Sequence, residues 1–250
     1  MPTGAPRPVL RVWPRFARGA QMALCLWLAG TGAVTAQTIV SARYGAPTDR
    51  YDHGVLGDAI EWGALDLTFA DGSTRRVTLP ADHVFEDVAP RLADLDGDGA
   101  PEVMVVETDV TAGVALAIYG PDGKITETPH IGARNRWLAP IGAADLDGDG
   151  VVELAYVDRP HLARTLRIWR YEAGKLTQIA ALEGVTNHRI GEEDIAGGIR
   201  TCTGTPEMIV ASANWLQLMA VSWTGEAFAQ TEIGRDTTRP AFARAMACAD

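Results

Sequence analysis

A short acidic motif occurs twice in this chain, at one fixed interval. Asp94-Leu95-Asp96-Gly97-Asp98-Gly99 returns as Asp145-Leu146-Asp147-Gly148-Asp149-Gly150, a shift of 51 residues. Each copy is preceded by Ala and followed by a short apolar run, Glu102-Val103-Met104-Val105-Val106 and Glu153-Leu154-Ala155-Tyr156-Val157. Self-similarity at a fixed period is the signature of a repeat architecture, and it constrains the fold more than any local propensity does. A second marker extends the period. Gly72, Gly123, Gly174 and Gly225 follow one another at the same interval, each in a turn between strand-like runs. Asp71-Gly72 and Asp122-Gly123, set between such runs, are strong hairpin signals.

The period divides the chain into units at about 37–82, 83–133, 134–184 and 185–238, with a C-terminal tail at 239–250. In the third unit the strands read Leu138–Ala144, Glu153–Val157, Thr165–Tyr171 and Leu176–Leu182. No segment after residue 36 carries a helical period. An all-β chain with four antiparallel strands per unit has the arithmetic of a propeller blade, so the expected fold is a small β-propeller of about four blades. Two packed sheets built from the same hairpins are the rival.

The acidic loops carry the clearest chemistry. Asp94, Asp96 and Asp98 alternate, so a tight loop turns all three carboxylates toward one point, and Gly97 and Gly99 permit backbone conformations that a Cβ forbids. The Ala100 carbonyl at position seven and the Glu102 carboxylate at position nine complete the set. Asp145, Asp147, Asp149, the carbonyl of Val151 and Glu153 repeat it. Oxygen-only donors at this spacing suit Ca²⁺, which takes six to eight oxygens, better than Mg²⁺, which keeps several waters. Two structural Ca²⁺ sites are therefore expected. An EF-hand is excluded, because its position-twelve Glu would fall on Val105 or Tyr156, inside apolar strands.

The pattern Asp-x-Asp-Gly-Asp-Gly-x-x-Glu, led in by Ala-Asp-Leu and followed by a strand, resembles the FG-GAP/VCBS repeat family. The resemblance covers about residues 85–185. It implies blades like those of the integrin α-chain propeller, which recur in secreted bacterial proteins, and a role in adhesion or ligand recognition. A familiar version of the motif has Asp at position nine, where this chain has Glu102 and Glu153; a carboxylate is kept.

Residues 1–36 read as an export signal. Arg7, Arg11, Arg15 and Arg18 precede an apolar run from Ala20 to Leu28, and Val34-Thr35-Ala36 gives a small-x-small cleavage pattern. No later segment has the ~20 apolar residues of a membrane span. The expected destination is the periplasm or the cell exterior. Cleavage leaves Cys202 and Cys248, and an oxidising compartment favours a disulfide between them over two free thiols. Such a bond would brace the fourth unit, whose acidic ladder is replaced by Glu193-Asp194-Ile195-Ala196-Gly197-Gly198 and a longer loop containing Cys202. The formal charge of −10, with 32 acidic against 22 basic residues, excludes a nucleic-acid binder that works by neutralising phosphate.

Catalytic signatures are missing. The chain has five His, none in a two-His metal spacing, and neither a nucleophile elbow nor a phosphate-cradling loop. One cluster stands out against the acidic background. His83, then Arg134-Asn135-Arg136-Trp137, then Asn187-His188-Arg189 precede the first strands of successive units, a possible ligand face on one side of a propeller. The alternative is that they bond the backbone carbonyls of neighbouring units. The expected function is a non-catalytic, calcium-binding module for adhesion or scaffolding, with a protein, a glycan or an envelope component as partner. The runner-up is an exported hydrolase or lyase at the propeller channel, which needs a convergent His–carboxylate site not visible in the sequence.

Overall fold

The computed structural model describes residues 37–249, with Met1, Thr3 and Gly4; the rest of the expected leader lies outside the described residues. The chain divides into two units, and the fold below is that of the second, Ala36–Asp250. It is all-β, with antiparallel pairing throughout and one short helix among the described residues.

The first repeat unit holds three strands, β1 (Ile39–Thr48), β2 (Glu61–Phe69) and β3 (Thr74–Thr78), with β2 in the middle. The second holds β4 (His83–Phe85), β5 (Arg91–Ala93), β6 (Glu102–Asp109), β7 (Gly113–Gly120) and β8 (Gly123–Glu127). The third holds β9 (Leu138–Ala144), β10 (Glu153–Asp158), β11 (Thr165–Glu172) and β12 (Lys175–Glu183), close to the strands read from the sequence. The fourth holds β13 (Val185–Thr186), β14 (Gly198–Arg200), β15 (Glu207–Ser212), β16 (Leu218–Trp223) and β17 (Phe228–Gly234). A helix, α1 (Arg239–Met246), ends the chain.

Two expectations are corrected. The first unit has three strands rather than four, and the tail is helical. Pro240 in the first turn of α1 supplies a helix-compatible φ, and Ala241, Phe242 and Ala245 form its buried face.

The pleat explains the packing. Successive residues of a strand point to opposite faces. In β6, Val103 and Val105 pack toward Leu65, Leu67 and Phe85, while Met104 and Val106 pack toward Leu154, Tyr156 and Trp169. In β10, Ala155 and Val157 take the other side, against Met208, Val210 and Val221. The repeat units therefore pack face to face in series, the first two joined in one eight-stranded sheet where Trp62 of β2 pairs with Phe85 of β4, and central strands buried on both faces read as continuous apolar runs. At one end of the series, Ile209, Ala211 and Ala220 pack on α1 through Ala241 and Phe242. At the other, β2 turns out Asp66, which accepts from Arg76 at 2.6 Å and lies 3.6 Å from Arg43. The first and fourth units meet through loops, the Gly191 amide donating to the Val55 carbonyl at 3.0 Å.

The leading strand of each of the last three repeat units is interrupted at one place. Between β4 and β5, both paired with β6, the break is residues 86–90. Between β13 and β14, both paired with β15, it is residues 187–197. In β9 it shrinks to a bulge at Ile141, where Pro140 pairs with Tyr156 and Gly142 with Ala155.

Candidate functional site

The two acidic loops join equivalent strands, β5 to β6 and β9 to β10, and their backbones are near copies. The amides of Gly97 and Gly99 donate to the two oxygens of Asp94 at 2.8 and 3.0 Å. Those of Gly148 and Gly150 donate to Asp145 at 2.7 and 3.0 Å. Position seven gives its amide to position five: Ala100 to Asp98 at 2.7 Å and Val151 to Asp149 at 2.8 Å. The tight turn needs its glycines, with φ of +76° and +87° at Gly97 and Gly99 and +80° and +89° at Gly148 and Gly150, a region costly for a residue with a Cβ.

Part of the expected donor set converges in each loop. Ligand oxygens of Asp94, Asp96 and Glu102 lie within 4.8 Å of one another, as do those of Asp145, Asp147 and Glu153. Oxygens 2.3–2.6 Å from a shared Ca²⁺ stand no more than about 5 Å apart, so each trio fits that ion. Asp98 and Asp149 stand outside the trios. Glu102 and Glu153 are buried at the base of the loops, each accepting a backbone amide, from Leu95 and Leu146, at 2.9 Å. Burial holds both carboxyls above the usual carboxylate range. At Glu102 the charges of Asp96 and Asp98 add to the rise, whereas at Glu153 the Arg170 side chain opposes it.

Arg170, which the sequence reading did not single out, separates the two loops. It pairs with Glu153 across β10 and β11. Its Nη2 lies 2.9 Å from Asp147 Oδ2 and 2.8 Å from both Asp149 Oδ2 and Glu153 Oε1.

In the fourth unit, the segment between the paired strands is residues 201–206. Residues 193–198, read from the sequence as the replacement of the acidic ladder, instead end the interruption that precedes β14. Cys202 thus occupies the place of the acidic loops. It is bonded to Cys248, just beyond α1, with Cα atoms 5.6 Å apart. Arg200 ties the same region together, its Nη1 donating to the Ala245 carbonyl at 2.7 Å.

The residues proposed as a ligand face divide. Trp137 is buried, its indole N–H donating to the Glu86 carbonyl at 2.8 Å. Buried Asn187 donates to the Ala139 and Pro140 carbonyls at 3.3 and 3.4 Å. These two follow the structural alternative. Arg134 reaches Asp52 at 3.4 Å, Arg189 lies over the Trp215 ring at 3.8 Å, and His83 bonds Asp82 at 2.9 Å. Asn135, Arg136 and Trp137 line a cavity of about 190 Å³ with His53, Arg159 and His161. His188 stands behind it, its Nδ1 3.0 Å from His161 Nε2. Burial, helped by His188, pushes His161 down to about 4.

His53, on the wall of that cavity, belongs to a pairing that no sequence motif announces. His53 Nδ1 lies 2.5 Å from Glu86 Oε1, and the other Glu86 oxygen accepts from Thr108 Oγ1 at 2.8 Å. Glu86 is fully buried, which raises its pKa, while His53 pulls the other way. The two residues come from the loop after β1 and the interruption after β4, so only the fold brings them together.

Residues 94–156, the stretch holding both acidic loops, match the family model of the FG-GAP-like repeat. The chain carries an FG-GAP-like repeat. The FG-GAP-like stretch starts at the first loop aspartate and ends in β10, so it spans the interface between the second and third repeat units. No curated protein matches the chain. Among solved structures it is similar to the crystal structure of Porphyromonas gingivalis dipeptidyl peptidase 4, with 18% identity and a TM-score of 0.39. That likeness covers 69% of this chain and 23% of the other, so the chain spans less than a quarter of that protein. Among the described residues, no helix is long and apolar enough to cross a membrane.

Proposed function

We propose that the chain is an exported, calcium-binding module of the four-bladed propeller type, which binds a protein, a glycan or an envelope component without catalysing a reaction. The observation that carries this reading is the convergence of an aspartate pair and a buried glutamate at the same place in a tight loop of successive sheets, within an FG-GAP-like repeat. The export motif and the Cys202–Cys248 disulfide support an oxidising destination. The ion is structural: it ties the loop to the base of its sheet, where four carboxylates would otherwise repel.

Chelation tests this. Excess EGTA should lower the melting temperature of the purified chain by several degrees, and added Ca²⁺ should restore it. Identical melts in EGTA and in millimolar Ca²⁺ would remove calcium from the account.

The His53–Glu86 pair favours a second reading, an exported hydrolase or lyase working in the cavity lined by Trp137 and His161. A histidine held by a buried carboxylate has the geometry of a general base. Turnover of chromogenic esters or glycosides by the wild type, lost in His53→Ala with the fold intact, would establish that reading. Turnover unaffected by that substitution, or none, would retain the binding module.

A further inference from the structure

The two acidic loops share a backbone but differ in charge. Among the described residues, none of Asp94, Asp96, Asp98 and Glu102 pairs with a basic side chain. The second loop carries the same four carboxylates and a guanidinium in their midst. Arg170 Nη2 lies within hydrogen-bond reach of Asp147 Oδ2, Asp149 Oδ2 and Glu153 Oε1, and its Nε donates to Glu153 Oε1 at 2.9 Å. The matching groups of the first loop, Asp96, Asp98 and Glu102, have no basic partner among the described residues. The charged atom of Arg170 thus contacts two of the three residues, Asp147 and Glu153, whose oxygens converge in the second loop.

Strand register explains the difference. The 51-residue period maps Arg170 onto Tyr119, whose hydroxyl instead donates to Glu107 at 2.6 Å. The pairing is offset by one: Leu154 faces Trp169, while Val103 faces Tyr119. One step further along, Arg170 faces Glu153, and the residue opposite Glu102 is Gly120, which has no side chain to offer.

We propose that the chain binds a single Ca²⁺, in the Asp94–Glu102 loop, and that Arg170 replaces the ion in the Asp145–Glu153 loop. This rests on the calcium reading above and narrows the expectation of two ions to one. A cation entering the second loop must displace the guanidinium or sit beside it. At about 4 Å the repulsion weakens binding by roughly 30-fold even in the dielectric of water. The three equivalent loops are then fastened in three ways: by an ion, by an arginine and by the Cys202–Cys248 bond.

Isothermal titration of the full chain with CaCl₂, checked by Tb³⁺ luminescence sensitised through nearby Tyr171, decides the matter. The wild type should take one ion. Asp96→Asn should take none, Asp147→Asn should still take one, and Arg170→Gln should take two. Two ions in the wild type, or loss of the single ion in Asp147→Asn, would overturn the assignment while leaving calcium binding intact. One ion in a folded Arg170→Gln chain would overturn the role given to the arginine. No ion in the wild type would bring down the calcium reading itself. The two aspartate variants place the ion even if Arg170→Gln fails to fold, which near-UV circular dichroism would reveal.

Discussion

Glu61 lies buried beside Glu86, Asp58 and Asp87, and no hydrogen-bond partner for its side chain is found among the described residues. Burial first, and then the charges of those three neighbours, push its carboxyl up to about 9. The folded chain therefore holds a proton there that the unfolded chain releases near pH 4.5. A group raised in this way stabilises the fold below its unfolded pKa, and that contribution is lost as pH rises toward 9. Glu61→Gln, which keeps the shape and cannot ionise, should flatten the decline of stability between pH 5 and 9. The gain at the alkaline end should be on the order of several kcal/mol by denaturant titration, and equal pH slopes in the two proteins would refute it. At this scale the sequence was legible only where ligands lie close along the chain. Asp94, Asp96 and Glu102 fall within one loop. His53 and Glu86 are 33 residues apart, and Arg170 reaches its carboxylates only through a one-residue register offset that a strict period conceals.

The hairpins were legible because Asp-Gly turns and alternating runs are local signals, and the third unit's strands fall almost where they were read. Two kinds of element were not. The helix α1 is too short to show a convincing period, and it is defined by what it covers: Phe242 lies 6.3 Å from Trp215, and Arg200 reaches the Ala245 carbonyl. The interrupted leading strands were misread in the fourth unit, because spacing alone could not tell an insertion before β14 from one after it. The disulfide belongs to this scale too, since it ties the loop between β14 and β15 to the end of α1. Replacing Cys202 and Cys248 by Ser should cost about 3–4 kcal/mol, from loop-closure entropy over a separation of 46 residues. Urea unfolding checks this, and a loss below about 1 kcal/mol would mean that α1 docks without it.

For the whole molecule, the ion acts by mass action. Free Ca²⁺ at a hundred times its dissociation constant should stabilise the folded chain by about 2.7 kcal/mol, which sets the size of the EGTA effect. The 51-residue spacing of the two acidic loops was legible, but the way the series ends was not, because the period says nothing about its boundaries. Stacked repeats expose an apolar face at each end unless something polar or foreign covers it. Here the first sheet turns out Asp66 with its arginines, and the last sheet lies under α1. A fifth copy of the repeat would meet charge on one outer face and a helix on the other, so neither face is open for the series to lengthen.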